Sequence, residues 1–313
     1  MTVTTAPPEV SQAQVWTSLS LVYVIWGSTY LAIAVTVESA PPMQSMGMRF
    51  LAASALLALF IVVRRGPAAL RVSRRQVASS ATVGFLLLVC GMGGLAYAER
   101  HVPTGVAALI VAGIPVWIVI LRAVTGDRPR PLTWLGVLVG LLGLAVLLLP
   151  GSSGGASLGW SLLILSGSAC WAVGSFLQPR LDTPSDPLVL TLYQMLTGGV
   201  MLMLGGALLH ERWNLAALTA SSIWSWVYLV TIGSLVGYVA YVWLVGHAPL
   251  SLVSTYAYVN PVVAVALGVL LHGESLTGAI IAGGAIVVLG VVLVVTAERK
   301  VHPAAADVPE CAT

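Results

Sequence analysis

The side chains best suited to act on a small solute lie in apolar surroundings at helical spacing. Trp26, Thr29 and Tyr30 share one helical face, and Trp171, Ser175 and Gln178 follow at intervals of four and three. Tyr238 and Tyr241 are three apart, Tyr256 and Asn260 four apart. Residues at these spacings are neighbours on a helix surface. Aromatic walls carrying a few fixed amides and hydroxyls suit reversible binding of an organic solute. Trp26, Tyr30, Trp171, Gln178, Tyr238, Tyr256 and Asn260 therefore form the candidate substrate-binding set. Each has a plainer use in helix packing or, for Tyr and Trp, as an anchor at the bilayer surface. Gln178 and Asn260 stand out because a buried amide in hydrocarbon needs partners. Arg49 is the one charge inside an apolar segment, which makes it a functional candidate by default; the alternative is that it snorkels outward or caps carbonyls. Pro115 and Pro261 lie well inside apolar segments, where each removes a backbone hydrogen bond and kinks the helix. Arg49, Pro115 and Pro261 form the candidate gating set.

Other chemistries find no footing. There is no Gly-Lys-Ser/Thr phosphate loop, no HExxH and no Ser/His/Asp set, so no catalytic residue is assigned and no enzyme activity or cofactor is expected. Cys90 and Cys170 fall in apolar segments and Cys311 in the tail, without CxxC or Cys/His spacing, so neither a metal site nor a disulfide framework is expected. No basic run is interleaved with aromatics, which argues against nucleic acid. Glu38, Glu99, Glu211 and Glu274 fall at segment ends or in loops. With no carboxylate in a segment interior, simple acid-driven antiport is disfavoured.

The elements that must position these residues are membrane helices. Of 313 residues, 58% are hydrophobic and 8% charged, against about 25% charged in soluble domains. A water-facing surface cannot be built from that supply. A span needs about 20 residues, and apolar segments fall at roughly 16–36, 43–63, 77–98, 103–121, 132–150, 157–177, 187–209, 222–245, 249–271 and 277–296. Pro42, Pro103, Pro131, Pro187 and Pro249 mark helix starts, where a missing N–H costs nothing. In the fifth span Gly136, Gly140 and Gly143 make a small-residue packing seam, with Ala279 and Gly283 at the same spacing in the tenth.

The chain also repeats itself. A shift of 146 places Gly91 on Gly237, His101 on His247, Pro103 on Pro249 and Pro115 on Pro261. A shift of 145 pairs Trp26 with Trp171, Pro42 with Pro187 and Arg49 with Gln194. Such self-similarity marks an internal duplication. Five spans per copy is odd, so the copies must lie upside down to each other. The expected fold is an all-α polytopic membrane protein with ten transmembrane helices as two inverted five-helix repeats. Residues 15–150 and 157–297 are the repeats, 151–156 the linker, and 1–14 and 298–313 disordered ends. Eleven Arg and Lys fall in the even-numbered connections and the C-terminal flank, and only Arg100 and Arg212 on the other side. The positive-inside rule places both termini in the cytoplasm and the protein in the cell membrane.

The Trp26-Gly27-Ser28 run, Pro41-Pro42 followed by Arg49, the Tyr-Ala-Tyr-Val-Asn-Pro run ending at Pro261 and Gly-Glu-Ser at 273–275 resemble EamA-type members of the drug/metabolite transporter superfamily. The resemblance covers about 16–296 as two repeats. It implies alternating access around a cavity built from helices 1, 3, 4, 6, 8 and 9, and export of amino acids, related metabolites or xenobiotics across the inner membrane. Two departures narrow the substrate. Trp26, Thr29 and Tyr30 stand where small multidrug resistance relatives carry a membrane-embedded Glu. No span holds the Lys that sugar-phosphate members use, and Arg49 stands alone. Neutral or zwitterionic metabolites fit better than cationic drugs or phosphates. The expected partners are a small-molecule substrate and the lipid bilayer. The rival within the class is a proton-driven multidrug carrier depending on Glu99 or Glu38. The rival outside it is a membrane enzyme or structural subunit that moves nothing.

Overall fold

The computed structural model describes residues 11–126, 129–148 and 157–299, and these form helices joined by short turns with no strand among them. The expected linker 151–156 and residues 1–10 and 300–313 of the expected disordered ends lie outside the described residues. Among the described residues seven helices are long and apolar enough to cross a membrane: α1 (Gln12–Val37), α2 (Pro42–Arg65), α3 (Arg74–Ala98), α4 (Thr104–Val124), α6 (Leu158–Arg180), α7 (Pro187–Leu208) and α8 (Ala220–His247). Shorter apolar stretches lie in α5 (Pro131–Leu148), α9 (Tyr256–His272) and α10 (Gly278–Arg299). Residues such as Val63, Leu208 and Leu270 are more than 70% exposed, an apolar surface made for hydrocarbon rather than water.

Local chemistry sets the helix ends. Ser11 and Gln14 form a reciprocal capping box, so α1 starts at Gln12, earlier than the apolar pattern alone suggests, and Ser11–Gln14 is ordered. Pro42, Pro131 and Pro187 head α2, α5 and α7, and Pro103 immediately precedes α4.

The helix ends gather on two faces. On one, the start of α1, the end of α2, the start of α7 and the end of α8 meet around Gln14, Arg65, Asp186 and His247. Arg65 is ion-paired with Asp186 there, and Arg75 lies 3.7 Å from Asp182. This is the basic face. On the other, Glu211 beyond the end of α7 accepts the N–H groups of Met43 and Gln44 at the start of α2 (3.1 and 2.9 Å). Glu38 beyond α1 meets His272 at the end of α9 (3.5 Å). Glu274 caps the start of α4. This is the acidic face.

Three departures from straight helix matter for the site. A π-helical stretch, Phe85–Gly93, interrupts α3, and another, Leu229–Tyr238, interrupts α8. The two coincide to within two residues under the 146-residue shift. α4 breaks at Ala112–Gly113, between Thr104–Val111 and Ile114–Val124, just before Pro115. In its repeat mate the outcome differs: Pro261 sits inside the continuous helix Tyr256–His272, and the break comes at Ser254–Thr255, after the single turn Leu250–Val253. The glycine seam pairs α5 with α10. A Cβ on Gly290 would stand 2.3 Å from the Gly140 nitrogen, and one on Gly143 2.6 Å from the Val287 nitrogen.

Candidate functional site

A narrow cavity, about 50 Å³ of it open to the centre of a water-sized sphere, lies between the two repeats. α1 presents Trp26, Thr29 and Tyr30 to it, α6 presents Ile164, Ser168 and Trp171, and α9 presents Tyr256 and Asn260. The remaining wall is Gly167 of α6, Gly91, Met92 and Leu95 of α3, and Val111 and Ile114 of α4. Among the described residues no charged side chain lines it. The π-helical stretch of α3 supplies Gly91 and Met92, and Ile114 stands at the α4 break. π-Insertions recur at functional positions because they turn a helix surface that a regular helix would point elsewhere.

On the basic-face side an aromatic floor closes the cavity. The Trp26 ring packs 4.7 Å from Tyr241 and edge-on to Trp171 (5.5 Å) and Tyr256 (5.3 Å). Trp171 Nε1 donates to the Tyr241 hydroxyl (3.0 Å), which also meets Ser175 Oγ (2.6 Å). The Tyr23 hydroxyl lies 2.5 Å from Thr255 Oγ1 at the α9 break. With its amide nitrogen turned toward acceptors, Asn260 donates to the main-chain oxygens of Tyr256 (3.2 Å) and Tyr23 (3.1 Å), tying α9 to α1. Close approach needs a missing side chain at two points: a Cβ on Gly237 would stand 2.9 Å from Trp26 Nε1, and one on Gly91 2.9 Å from the Trp171 ring.

Of the seven substrate-binding candidates, Trp26, Tyr30, Trp171, Tyr256 and Asn260 meet at the cavity. Gln178 and Tyr238 do not line it. They form a buried relay nearer the basic face: Tyr238 donates to Gln194 Oε1 (2.8 Å), and Gln194 Nε2 donates to Gln178 Oε1 (3.0 Å). Helical spacing identifies which residues share a face, but not whether that face turns to the cavity or to a neighbouring helix. The resemblance implies walls from helices 3 and 4, but nothing in the sequence singles out their residues, because Met92, Leu95, Val111 and Ile114 read as ordinary core. The only sequence mark there is Gly91, repeated as Gly237.

The gating candidates separate. Pro115 lies one residue from the cavity wall, beside Ile114. Pro261 follows Asn260 but faces an apolar groove with Leu109 and Ile280. Arg49 is 2% exposed and lies outside the cavity wall. Its Nε donates to Ser234 Oγ (2.9 Å), its Nη1 reaches Met46 Sδ (3.7 Å), and its guanidinium packs 4.8 Å from the centre of the Phe50 ring. Among the described residues no carboxylate is ion-paired with it. Gly233 leaves it room, since a Cβ there would be 3.0 Å from Nη2. Arg49 thus joins α2 to the π-helical stretch of α8. The cysteines are less scattered than their spacing suggests: the free thiols of Cys90 and Cys170 are neighbours across the α3–α6 contact.

Comparison with known proteins agrees with this geometry. The sequence profile described as the EamA-like transporter family matches residues 16–149 and 158–296. The chain is 38% identical over 289 residues to an Escherichia coli K12 protein named as uncharacterized inner membrane transporter YedA, with 92% of each chain covered. It is 26% identical over 284 residues to an E. coli protein named as a probable amino-acid metabolite efflux pump, covering 86% of this chain and 91% of that one. A solved crystal structure 18% identical to it overlaps with a TM-score of 0.65, covering 93% of this chain and 100% of that one, a likeness of fold.

Proposed function

The chain belongs to the EamA-like transporter family and is a membrane transporter, and on that premise we propose that it exports small amphipathic metabolites, amino acids among them, from the cytoplasm by alternating access. In this reading ten spans form two inverted five-helix repeats in the inner membrane, with the basic face and both termini cytoplasmic. The observation that carries the reading is the cavity: it draws its walls from both repeats, is aromatic and apolar, holds Thr29, Ser168 and Asn260 as fixed polar groups, and has no charge. Such a site rewards an apolar side chain and a few hydrogen bonds without demanding a net charge. The relative named as an amino-acid metabolite efflux pump supports the same substrate class. Access would alternate by rocking at the helix interruptions near Pro115 and before Pro261, while Arg49 would hold α2 to α8 rather than touch the solute.

The test is counterflow in proteoliposomes with labelled neutral amino acids. Saturable exchange is expected. Asn260→Ala should lower it by about tenfold, the consequence of removing an amide from the cavity wall, with no loss of folded protein. No saturable exchange of any amino acid would overturn the substrate class, and unchanged kinetics in the variant would remove Asn260 from the site.

A further inference from the structure

Glu99 is the anomaly of the acidic face. The residue caps the end of α3 and is 7% exposed. Both of its carboxylate oxygens are buried, and neither has a hydrogen-bond partner. A carboxylate stripped of water and of donors is among the least favourable groups a protein can hold, whereas the neutral acid costs far less.

Its surroundings offer no compensation. Glu274, which follows α9, is close enough to repel it. Glu274 is itself engaged elsewhere: it accepts from the Thr104 N–H (2.6 Å), the Gly105 N–H (3.1 Å) and the Thr104 hydroxyl at the start of α4. From α1, Tyr30 lies within electrostatic reach of Glu99 and supplies no positive charge. Glu38, at the far end of α1, is taken by His272. Arg100, next in sequence, spends its guanidinium on the carbonyls of Val37 (3.0 Å) and Ala40 (3.1 Å). His101 stacks on Trp160 of α6 at 4.5 Å. Arg49 of α2 is bonded to Ser234. Burial, with the charge of Glu274 adding to it, pushes the Glu99 carboxyl well above the usual carboxylate range.

We propose that Glu99 is a proton-binding site of the carrier, and that taking up the proton is linked to closure of the acidic end of the cavity. The step is simple: a proton from water on the acidic face converts the carboxylate to the carboxylic acid, and the neutral group is then buried beside Tyr30, which lines the cavity. Opening this end returns Glu99 to water and releases the proton. The sign follows from the linkage. The closed form binds the proton more tightly than the open form, so acid favours closure. As pH rises above the ordinary carboxylate range, closure weakens by up to about tenfold per pH unit, the limit for one proton. The inference rests on the cavity being the alternating-access substrate site, and it reopens the proton-dependent behaviour that the lack of a carboxylate inside a span argued against.

Two measurements on the full-length reconstituted protein separate this proposal from the transport reading. Infrared spectroscopy of wild type minus Glu99→Gln near neutral pH should show the C=O stretch of one protonated carboxyl group, with no substrate needed. Amino-acid counterflow, with pH varied on each side of the membrane separately, should slow when the Glu99 side is acidified, and Glu99→Gln should be slow and insensitive to that pH. Should Glu99→Gln fail to fold, pH titration of the wild-type carboxyl band decides: a protonated band persisting well above the ordinary carboxylate range supports the site. Absence of the band, or a Glu99→Gln variant that keeps the wild-type pH response, overturns the proton site while leaving the transport reading intact. A band without any metabolite exchange keeps the proton site and overturns the transport reading.

Discussion

The two repeats agree in where their π-helical stretches fall and differ in their chemistry. Both carry a π-helical stretch at the equivalent place, Phe85–Gly93 in α3 and Leu229–Tyr238 in α8. Yet the equivalent positions on α2 and α7 hold a guanidinium and an amide. Arg49 reaches Ser234 and the Phe50 ring, whereas Gln194 sits between Tyr238 and Gln178 in a neutral relay. The kinks diverge too, with α4 broken before Pro115 and α9 broken ahead of Pro261 at Ser254–Thr255. A π insertion changes the direction of every residue after it, so losing one would misplace a whole helix face. A side chain can be exchanged wherever its new partners exist. Duplicated halves therefore keep the first kind of feature and are free to specialise in the second.

This contrast predicts that residue exchange between the halves is asymmetric. The largest effect should come from Gln194→Arg. Among the described residues the side-chain partners of Gln194 are an amide and a phenol, neither of them a counter-charge. A charge placed in a span interior costs about 3 kcal/mol or more, enough to remove most of the folded protein recovered from membranes. Wild-type yield and monodispersity of Gln194→Arg in detergent would break the contrast. Tyr238→Phe should cost less, about 2 kcal/mol, because it leaves the buried Gln194 oxygen without its donor. Thermal unfolding in detergent should show the loss, and counterflow should be reduced only modestly, since Tyr238 is not on the cavity wall. A total loss of exchange with unchanged stability would instead put Tyr238 in the substrate path.

The sequence carried the outline of this molecule well. The 146-residue shift, the apolar segments and the prolines at helix starts are all set by local composition, and the helices begin close to where those signals place them. The site was half legible. Trp26, Tyr30, Trp171, Tyr256 and Asn260 meet at one cavity, because polar and aromatic residues in hydrocarbon are few and their shared faces can be counted. The rest needed three-dimensional contacts. Gln178 and Tyr238 turn to Gln194, a partner distant in sequence from Tyr238 and on a different helix from both. The π stretches leave no composition signal beyond glycines such as Gly91 and Gly237, since the extra residue is a matter of hydrogen-bond register. Glu99 stands at a segment end in the sequence, where carboxylates are ordinarily wet, and only packing of the acidic face buries it.

The smallest effect, and the sharpest test of the contrast, is Arg49→Gln, which gives the first half the residue type of the second. The guanidinium has one side-chain oxygen partner, Ser234, and no ion-paired carboxylate among the described residues. Removing an unpaired buried charge relieves part of its own desolvation cost. Losing the Ser234 bond and the Phe50 contact works the other way, by about 1 kcal/mol. The two nearly offset, so the variant should fold and unfold at almost the wild-type temperature. Its effect should appear in the rate of counterflow rather than in apparent substrate affinity, because Arg49 joins α2 to α8 outside the cavity wall. A raised half-saturation concentration at unchanged maximal rate would mean that the guanidinium reaches the solute in another state of the cycle. The chemical difference between the halves would then belong to substrate recognition rather than to the packing of α2 against α8.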